Sequence, residues 1–210
     1  GGIEPATSFM VQAMKAGKHV VSANKAAIAA NYKLLTETAR ANNVEFLFEA
    51  SVAGGIPVLT ALTGALQANN FIEIMGILNG TTNYILTKMT DEGLSYDDVL
   101  KDAQAKGFAE ADPTADVEGI DAANKLSILI ALAFGTHIPP GSIPTEGITR
   151  VSPEDIKTAS ASGKKIKLIG KARMDGGKLE YSVSPVLLDE SHPLAGVSNE
   201  FNAVYVTGDM

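Results

Sequence analysis

The first fifty residues alternate helix and strand, and that rhythm limits the fold more than any other feature of the chain. Pro5 stands at a permitted first-turn position of a helix over 5–16, which Gly17 stops. His19-Val20-Val21-Ser22 reads as a short strand, 26–41 as an Ala-rich helix, and 44–49 as a strand alternating apolar and polar residues. Helix, strand, helix, strand is the order of successive units in a parallel sheet. A nucleotide-binding sheet of that kind opens with a strand, a Gly-rich turn and a helix. No G-x-G-x-x-G occurs in the 210 residues, and the chain starts Gly1-Gly2-Ile3-Glu4-Pro5, without Met. The expectation is that the first units of the sheet have been removed.

After Glu49 the pattern changes. A helix is expected over 56–68 with Pro57 near its start, a strand over 71–78, and a helix over 81–92 ended by Gly93. Ser95 with Asp98 three residues on caps the next helix, which stops at Gly107. A polar loop leads to a helix over 117–134, and Pro139-Pro140-Gly141 breaks the chain. Ser152-Pro153-Glu154-Asp155 has the cap, proline and acidic first turn of another helix start. Segments 165–174 and 178–187 pair as a hairpin across Asp175-Gly176-Gly177, and 204–206 reads as a last strand. These elements predict an α+β domain, a sheet with helices on one face.

Composition removes several classes of function. The apolar fraction of 45% supports a real core. A net charge of −7 with no basic run argues against nucleic-acid binding, which needs clustered Lys and Arg. The most apolar stretch, 126–134, is too short to span a bilayer. No leader sequence is visible. The absence of cysteine excludes disulfides and thiolate metal sites and fits a reducing cytosol. His19, His137 and His192 lack metal-ligand spacing, and neither a Gly-x-Ser-x-Gly elbow nor a P-loop is present.

Four clusters carry the chemistry. The richest is 107–125, with five carboxylates (Glu110, Asp112, Asp116, Glu118 and Asp121) ending at Lys125. Asp121 and Lys125 are four apart and share a helix face. Glu118, Asp121 and Lys125 also fit an ordinary surface ion-pair stripe. Against that, the apolar run after Lys125 would partly desolvate the amine, lowering its pKa and making it a usable proton donor and acceptor. Carboxylates converging in a loop with Pro113 and Gly119 suit an ammonium group. Ser22-Ala23-Asn24-Lys25 follows a strand, where ligands of parallel sheets gather, or Lys25 is simply a solvated helix-start lysine. In 49–57 the paired glycines let the backbone turn and expose carbonyls, which with Glu49 suit a hard cation, or merely make a close strand-to-helix turn. Asn79-Gly80-Thr81-Thr82-Asn83 offers amides and hydroxyls for an anionic group such as a substrate carboxylate, or is a plain helix cap.

These four clusters, in this order, resemble the signatures of the homoserine dehydrogenase family. Ser22-Ala23-Asn24-Lys25 is similar to that family's T-A-N-K, and 49–57, 76–85 and 107–125 are similar to its further motifs. The resemblance covers nearly the whole chain. It implies NAD(P)-dependent interconversion of L-homoserine and L-aspartate 4-semialdehyde within threonine and methionine synthesis. It implies Lys125 as catalytic proton donor and Glu110, Asp121, Asp116 and Thr82 as substrate-binding residues. Lys25, Gly107 and Glu110 would lie against NADP or NAD. Glu49, with the backbone carbonyls of Val52, Gly54 and Ile56, would bind a sodium ion. The implied fold is an α+β substrate domain, a mixed sheet with helices on one face. It is preceded by the last α/β units of a Rossmann-type nucleotide-binding domain, with the division at 1–48 and 49–210. A cytoplasmic homodimer acting on a small molecule, with neither nucleic acid nor membrane as partner, completes the expectation. The alternatives are a related amino-acid semialdehyde dehydrogenase and an inert dimerisation module.

Overall fold

The computed structural model describes residues 2–210 and divides by compactness into two units, residues up to Asn70 with 124–142 and Met210, and 71–123 with 143–209. The segment 124–142 clusters with the first unit.

In the first unit α1 (Ala6–Lys15), β1 (Val20–Val21), α2 (Lys25–Ala41) and β2 (Phe46–Leu47) follow in the expected order. The two strands pair in parallel, Val20 opposite Phe46 and Val21 opposite Leu47. They are shorter than the sequence suggested. Each has one neighbour among the described residues, and Val21 is 80% exposed. α1 and α2 pack together, burying Met10 and Met14 from one and Ile28 and Leu35 from the other. The helix expected over 56–68 is broken up. Only α3 (Val58–Thr60) is α-helical, and Ala61–Ala65 continues as a π-helical turn in which Leu66 N–H reaches back to the Ala61 carbonyl at 2.9 Å. Thr60, Thr63 and Gly64 hold a helix weakly, the first two by β-branching and the third by its free backbone.

In the second unit β3 (Phe71–Ile77), α4 (Gly80–Glu92), α5 (Tyr96–Ala105) and α6 (Thr114–Val117) lead to α7 (Ile120–Phe134), a helix that continues into the first unit. Then come α8 (Pro153–Ala161), β4 (Lys164–Asp175), β5 (Lys178–Asp189) and β6 (Ala203–Gly208). The strands form one antiparallel sheet in the order β5-β4-β3-β6. Among the described residues, parallel pairing is confined to β1 with β2 and to a single bridge between Thr145 and Val183. The β4–β5 hairpin turns through Gly176 and Gly177, both with positive φ (54° and 83°), as a two-residue turn matched to strand twist requires. Alternation along the strands puts Met75, Ile77, Ile169 and Leu188 on one face, under Leu194 and Ala195 of a short 3-10 turn. Ile74, Leu168, Ala172 and Val183 are buried on the other face, and α4 and α8 pack against β4.

A buried lysine ties the approach to β6. Lys167 is 3% exposed, and its Nζ donates to Asn83 Oδ1 at 3.0 Å and to the Val197 carbonyl at 2.7 Å. Both acceptors are neutral, so burial, helped by the like charge of Lys165, pushes its pKa down to about 8. Asn83 Nδ2 adds bonds to the carbonyls of Val197 and Phe201, fixing this loop on α4. No helix among the described residues is long and apolar enough to cross a membrane.

Candidate active site

The acidic segment is organised by a residue at the end of β3. Asn79 caps α4: its Oδ1 accepts from Thr82 N–H at 2.9 Å and lies 3.0 Å from the Thr82 hydroxyl. The cap settles which way the amide points, so Nδ2 faces outward from the helix start. Its two hydrogens go to Asp116 Oδ1 at 2.7 Å and Asp121 Oδ2 at 2.9 Å. Thr81 donates to the Phe108 carbonyl at 2.6 Å, with Asp116 Oδ2 at 3.3 Å. Asp121 is only 7% exposed. One neutral amide thus links two carboxylates that come from different helices.

Thr82 is 1% exposed with its hydroxyl on Asn79, and the amides of Asn79 and Asn83 are spent on protein acceptors. Asn79 and Thr82 thus form the helix cap, one of the two readings offered for 79–83.

A correction concerns the helix expected over 117–134. It is interrupted at Gly119, with φ of +80°, and restarts at Ile120. Asp121 therefore lies in the first turn of α7, near the positive end of the helix dipole, where a carboxylate is favoured. Glu118 lies outside that helix and accepts from the Thr149 hydroxyl at 2.9 Å, so no continuous stripe from Glu118 through Asp121 to Lys125 exists. Segment 145–149 braces the junction. Ile148 N–H donates to the Val117 carbonyl at 2.8 Å, and Glu146 N–H to that of Val183 at the same distance. A Cβ added to Gly147 would stand 2.1 Å from the Val117 carbonyl oxygen, so no side chain fits there.

Gly107, with φ of +77°, ends α5 by donating to the Gln104 carbonyl. Phe108 then folds back on the Tyr84 ring at 4.9 Å. Lys106 Nζ lies 2.9 Å from both Tyr84 Oη and Asp102 Oδ2. These bonds hold Lys106 above the usual lysine range, while Tyr84 and Lys106 hold Asp102 below the usual carboxylate range. Glu110 follows on the exposed loop, where its carbonyl accepts from Gln104 Nε2 at 3.1 Å.

Lys125 sits half-buried on α7, one turn beyond Asp121, and is followed by the fully buried Leu126, Ile128, Leu129 and Ile130. Lys25, also half-buried, is the first residue of α2, directly after β1 and the cap Asn24, whose Oδ1 accepts from Ala27 N–H at 3.1 Å. The Glu49 carboxylate caps α3 from ten residues away, taking Leu59 N–H at 2.9 Å, Thr60 N–H at 2.8 Å and the Thr60 hydroxyl at 2.6 Å. It borders a cavity of about 350 Å³ lined by Phe46, Phe48, Leu59 and Leu132. Ala53 and Gly54 are both left-handed (φ of 60° and 58°), and the Ile56 carbonyl accepts from Val58 N–H at 2.8 Å. The histidines have structural partners. His19 accepts from Glu45 N–H, His137 bonds the Ala29 carbonyl, and His192 accepts from Leu194 N–H. No group of three or more His, Asp or Glu able to hold a metal occurs among the described residues.

The first unit has the helix–strand order of a parallel α/β sheet, and the second concentrates carboxylates beside an antiparallel sheet. Residues 1–49 match the family model for the NAD binding domain of homoserine dehydrogenase, and 57–210 match that for homoserine dehydrogenase itself. The chain belongs to the homoserine dehydrogenase family. It is 49% identical to the homoserine dehydrogenase of Bacillus subtilis, covering 100% of this chain and 48% of that protein. The enzyme of Synechocystis is 47% identical over 100% of this chain and 49% of its own. The crystal structure of a homoserine dehydrogenase from Thiobacillus denitrificans superposes with a TM-score of 0.97 at 48% identity, covering 100% of this chain and 48% of that one. A hyperthermophilic archaeal homoserine dehydrogenase in complex with NADPH matches with a TM-score of 0.82 at 31% identity, over 97% of this chain and 59% of that one. The chain thus spans about half the length of the curated relatives it matches.

Proposed function

We propose that this chain supplies the substrate-binding and proton-transferring part of an NAD(P)-dependent interconversion of L-homoserine and L-aspartate 4-semialdehyde. The observation that carries the reading is the pair of carboxylates, Asp116 and Asp121, held on the Asn79 amide. Together with Glu110 they bind the substrate ammonium. Thr82 serves the site through Asn79. In the reducing direction the aldehyde carbon gains a hydride and its oxygen gains a proton. Lys125 gives that proton, and Lys25 steadies the developing negative charge on the oxygen. In the oxidising direction Lys125 takes the hydroxyl proton back. Bound NAD(P) supplies or accepts the hydride. Lys25 fits a place against it, since it opens a helix at the carboxyl end of a parallel strand, and Gly107 and Glu110 complete that set.

The same reading includes a sodium ion at the turn after β2. Since the Glu49 carboxylate already accepts three hydrogen bonds from α3, the ion would be held chiefly by the carbonyls of Val52, Gly54 and Ile56. The reaction belongs to threonine and methionine synthesis in the cytoplasm, which a cysteine-free chain suits. The test is a spectrophotometric assay of the protein as its source encodes it, with L-homoserine and NAD⁺ or NADP⁺. Homoserine-dependent reduction of the nucleotide is expected. Turnover only with related amino-acid alcohols would move the assignment to a sibling dehydrogenase, and no turnover with any would favour a dimerisation module.

A homodimer built on the antiparallel sheet is also expected. Part of one sheet face lies outside the core cluster, with Tyr205 39% exposed beside the charged group of Glu73, Lys171 and Arg173. Sedimentation at micromolar concentration should give a dimer, and a single monomer species would refute this.

A further inference from the structure

We infer that Tyr84 is a positioning residue for Glu110, setting it from α4 without touching substrate or nucleotide. The inference rests on the proposed part of Glu110 in holding the substrate ammonium. The turn that carries Glu110 is fastened to α5 by its backbone. Phe108 N–H and Ala109 N–H both donate to the Ala103 carbonyl, at 2.8 and 3.2 Å, and Gln104 Nε2 donates to the Glu110 carbonyl at 3.1 Å. None of these bonds relates the turn to the rest of the site. Gly107, with no atom within 4 Å of where a Cβ would stand, adds no packing of its own. The link to α4 is made by two residues three positions apart, on one face of that helix. Thr81 donates its hydroxyl to the Phe108 carbonyl at 2.6 Å, and the Tyr84 ring packs on the Phe108 ring at 4.9 Å. Tyr84 acts a second time through its hydroxyl, which donates to Asp102 Oδ2 at 2.5 Å and accepts from Lys106 Nζ at 2.9 Å, so α5 itself is registered on α4. At 3% exposure, Tyr84 is packed into a single arrangement of ring and hydroxyl. Asp116 is tied to the start of the same helix by the Asn79 amide at 2.7 Å. Tyr84 therefore sets where the backbone of Glu110 stands relative to Asp116.

The test uses Tyr84→Leu and Tyr84→Phe, each with and without Glu110→Ala, in the protein as its source encodes it. Tyr84→Leu removes ring and hydroxyl together. The expected result is a KM for homoserine raised roughly 3- to 10-fold, the factor equivalent to one aromatic pair, with kcat changed far less. Tyr84→Phe keeps the ring on Phe108 and should restore most of that loss. Adding Glu110→Ala to Tyr84→Leu should raise KM much less than Glu110→Ala does alone, because Glu110 is already displaced. A role confined to holding α4 and α5 together gives the full Glu110→Ala increment in both backgrounds, and that result overturns the inference. So does a folded Tyr84→Leu protein with the unaltered KM. If Tyr84→Leu does not fold, Phe108→Leu, at a position 38% exposed, breaks the same stack and carries the measurement. If the unaltered protein does not turn over homoserine, the functional reading falls, and amide hydrogen exchange decides on the positioning role. Exchange accelerated selectively at 107–110 upholds it, and unaltered exchange there overturns it.

Discussion

Replacing Lys125 with Ala should lower kcat by roughly 10²–10⁴, the usual range for a lost general acid. Lys125 is half-buried on α7 and is followed by the buried Leu126, Ile128 and Leu129. Lys125→Arg should not restore the rate, because a guanidinium stays protonated near neutral pH and cannot exchange the proton. Glu110→Ala should instead raise the KM for homoserine, since its proposed part is to place the ammonium. If Lys125 did no more than pair with Asp121, its removal would cost a few tenths of a kcal/mol of stability and leave turnover intact. Steady-state kinetics on the three variants, with circular dichroism to confirm folding, separate the two. A folded Lys125→Ala protein with near-normal kcat removes the lysine from the chemistry.

The 210-residue chain on its own should show no saturable binding of NADPH. Its parallel sheet consists of two strands of two residues each, and it contains no G-x-G-x-x-G turn to cradle a pyrophosphate. Lys25 at the start of α2 offers one cationic contact, too little to order a dinucleotide. Titration followed by nicotinamide fluorescence checks this. Tight binding would mean that the described residues contain a phosphate site that the glycine pattern does not reveal.

Local chemistry made much of this legible. Gly93, Gly107 and Gly176-Gly177 stop helices or turn a hairpin where the sequence placed them, because a left-handed residue there has few alternatives to glycine. The capping box at Ser152 and Asp155 is present in full. Two helices differ from the expected ones where tertiary contacts decide. Gly119 breaks the helix expected over 117–134 with a φ of +80°, where the Thr145 and Val183 side chains stand against it. The α3 turn is capped by Glu49, which the sequence offered as a cation ligand. Asn79 stood among the suspected residues, but its two carboxylate partners lie 37 and 42 positions away, and no local pattern announces such a bridge. Lys167 gave no signal at all, since a lysine in a strand reads as an outward-facing charge.

Position 147 carries a lesson for anyone who reads tolerance maps. With the Val117 carbonyl 2.1 Å from where a Cβ would stand, every replacement there must push backbone against backbone. A saturation library would score this glycine as unforgiving as Lys125, although it meets no substrate and moves no proton. Rank by intolerance alone would place a hinge pin among the reagents. Only separate scoring of abundance and turnover tells them apart: at 147 both should fall together, and at 125 the proposed proton transfer predicts a fall in turnover alone.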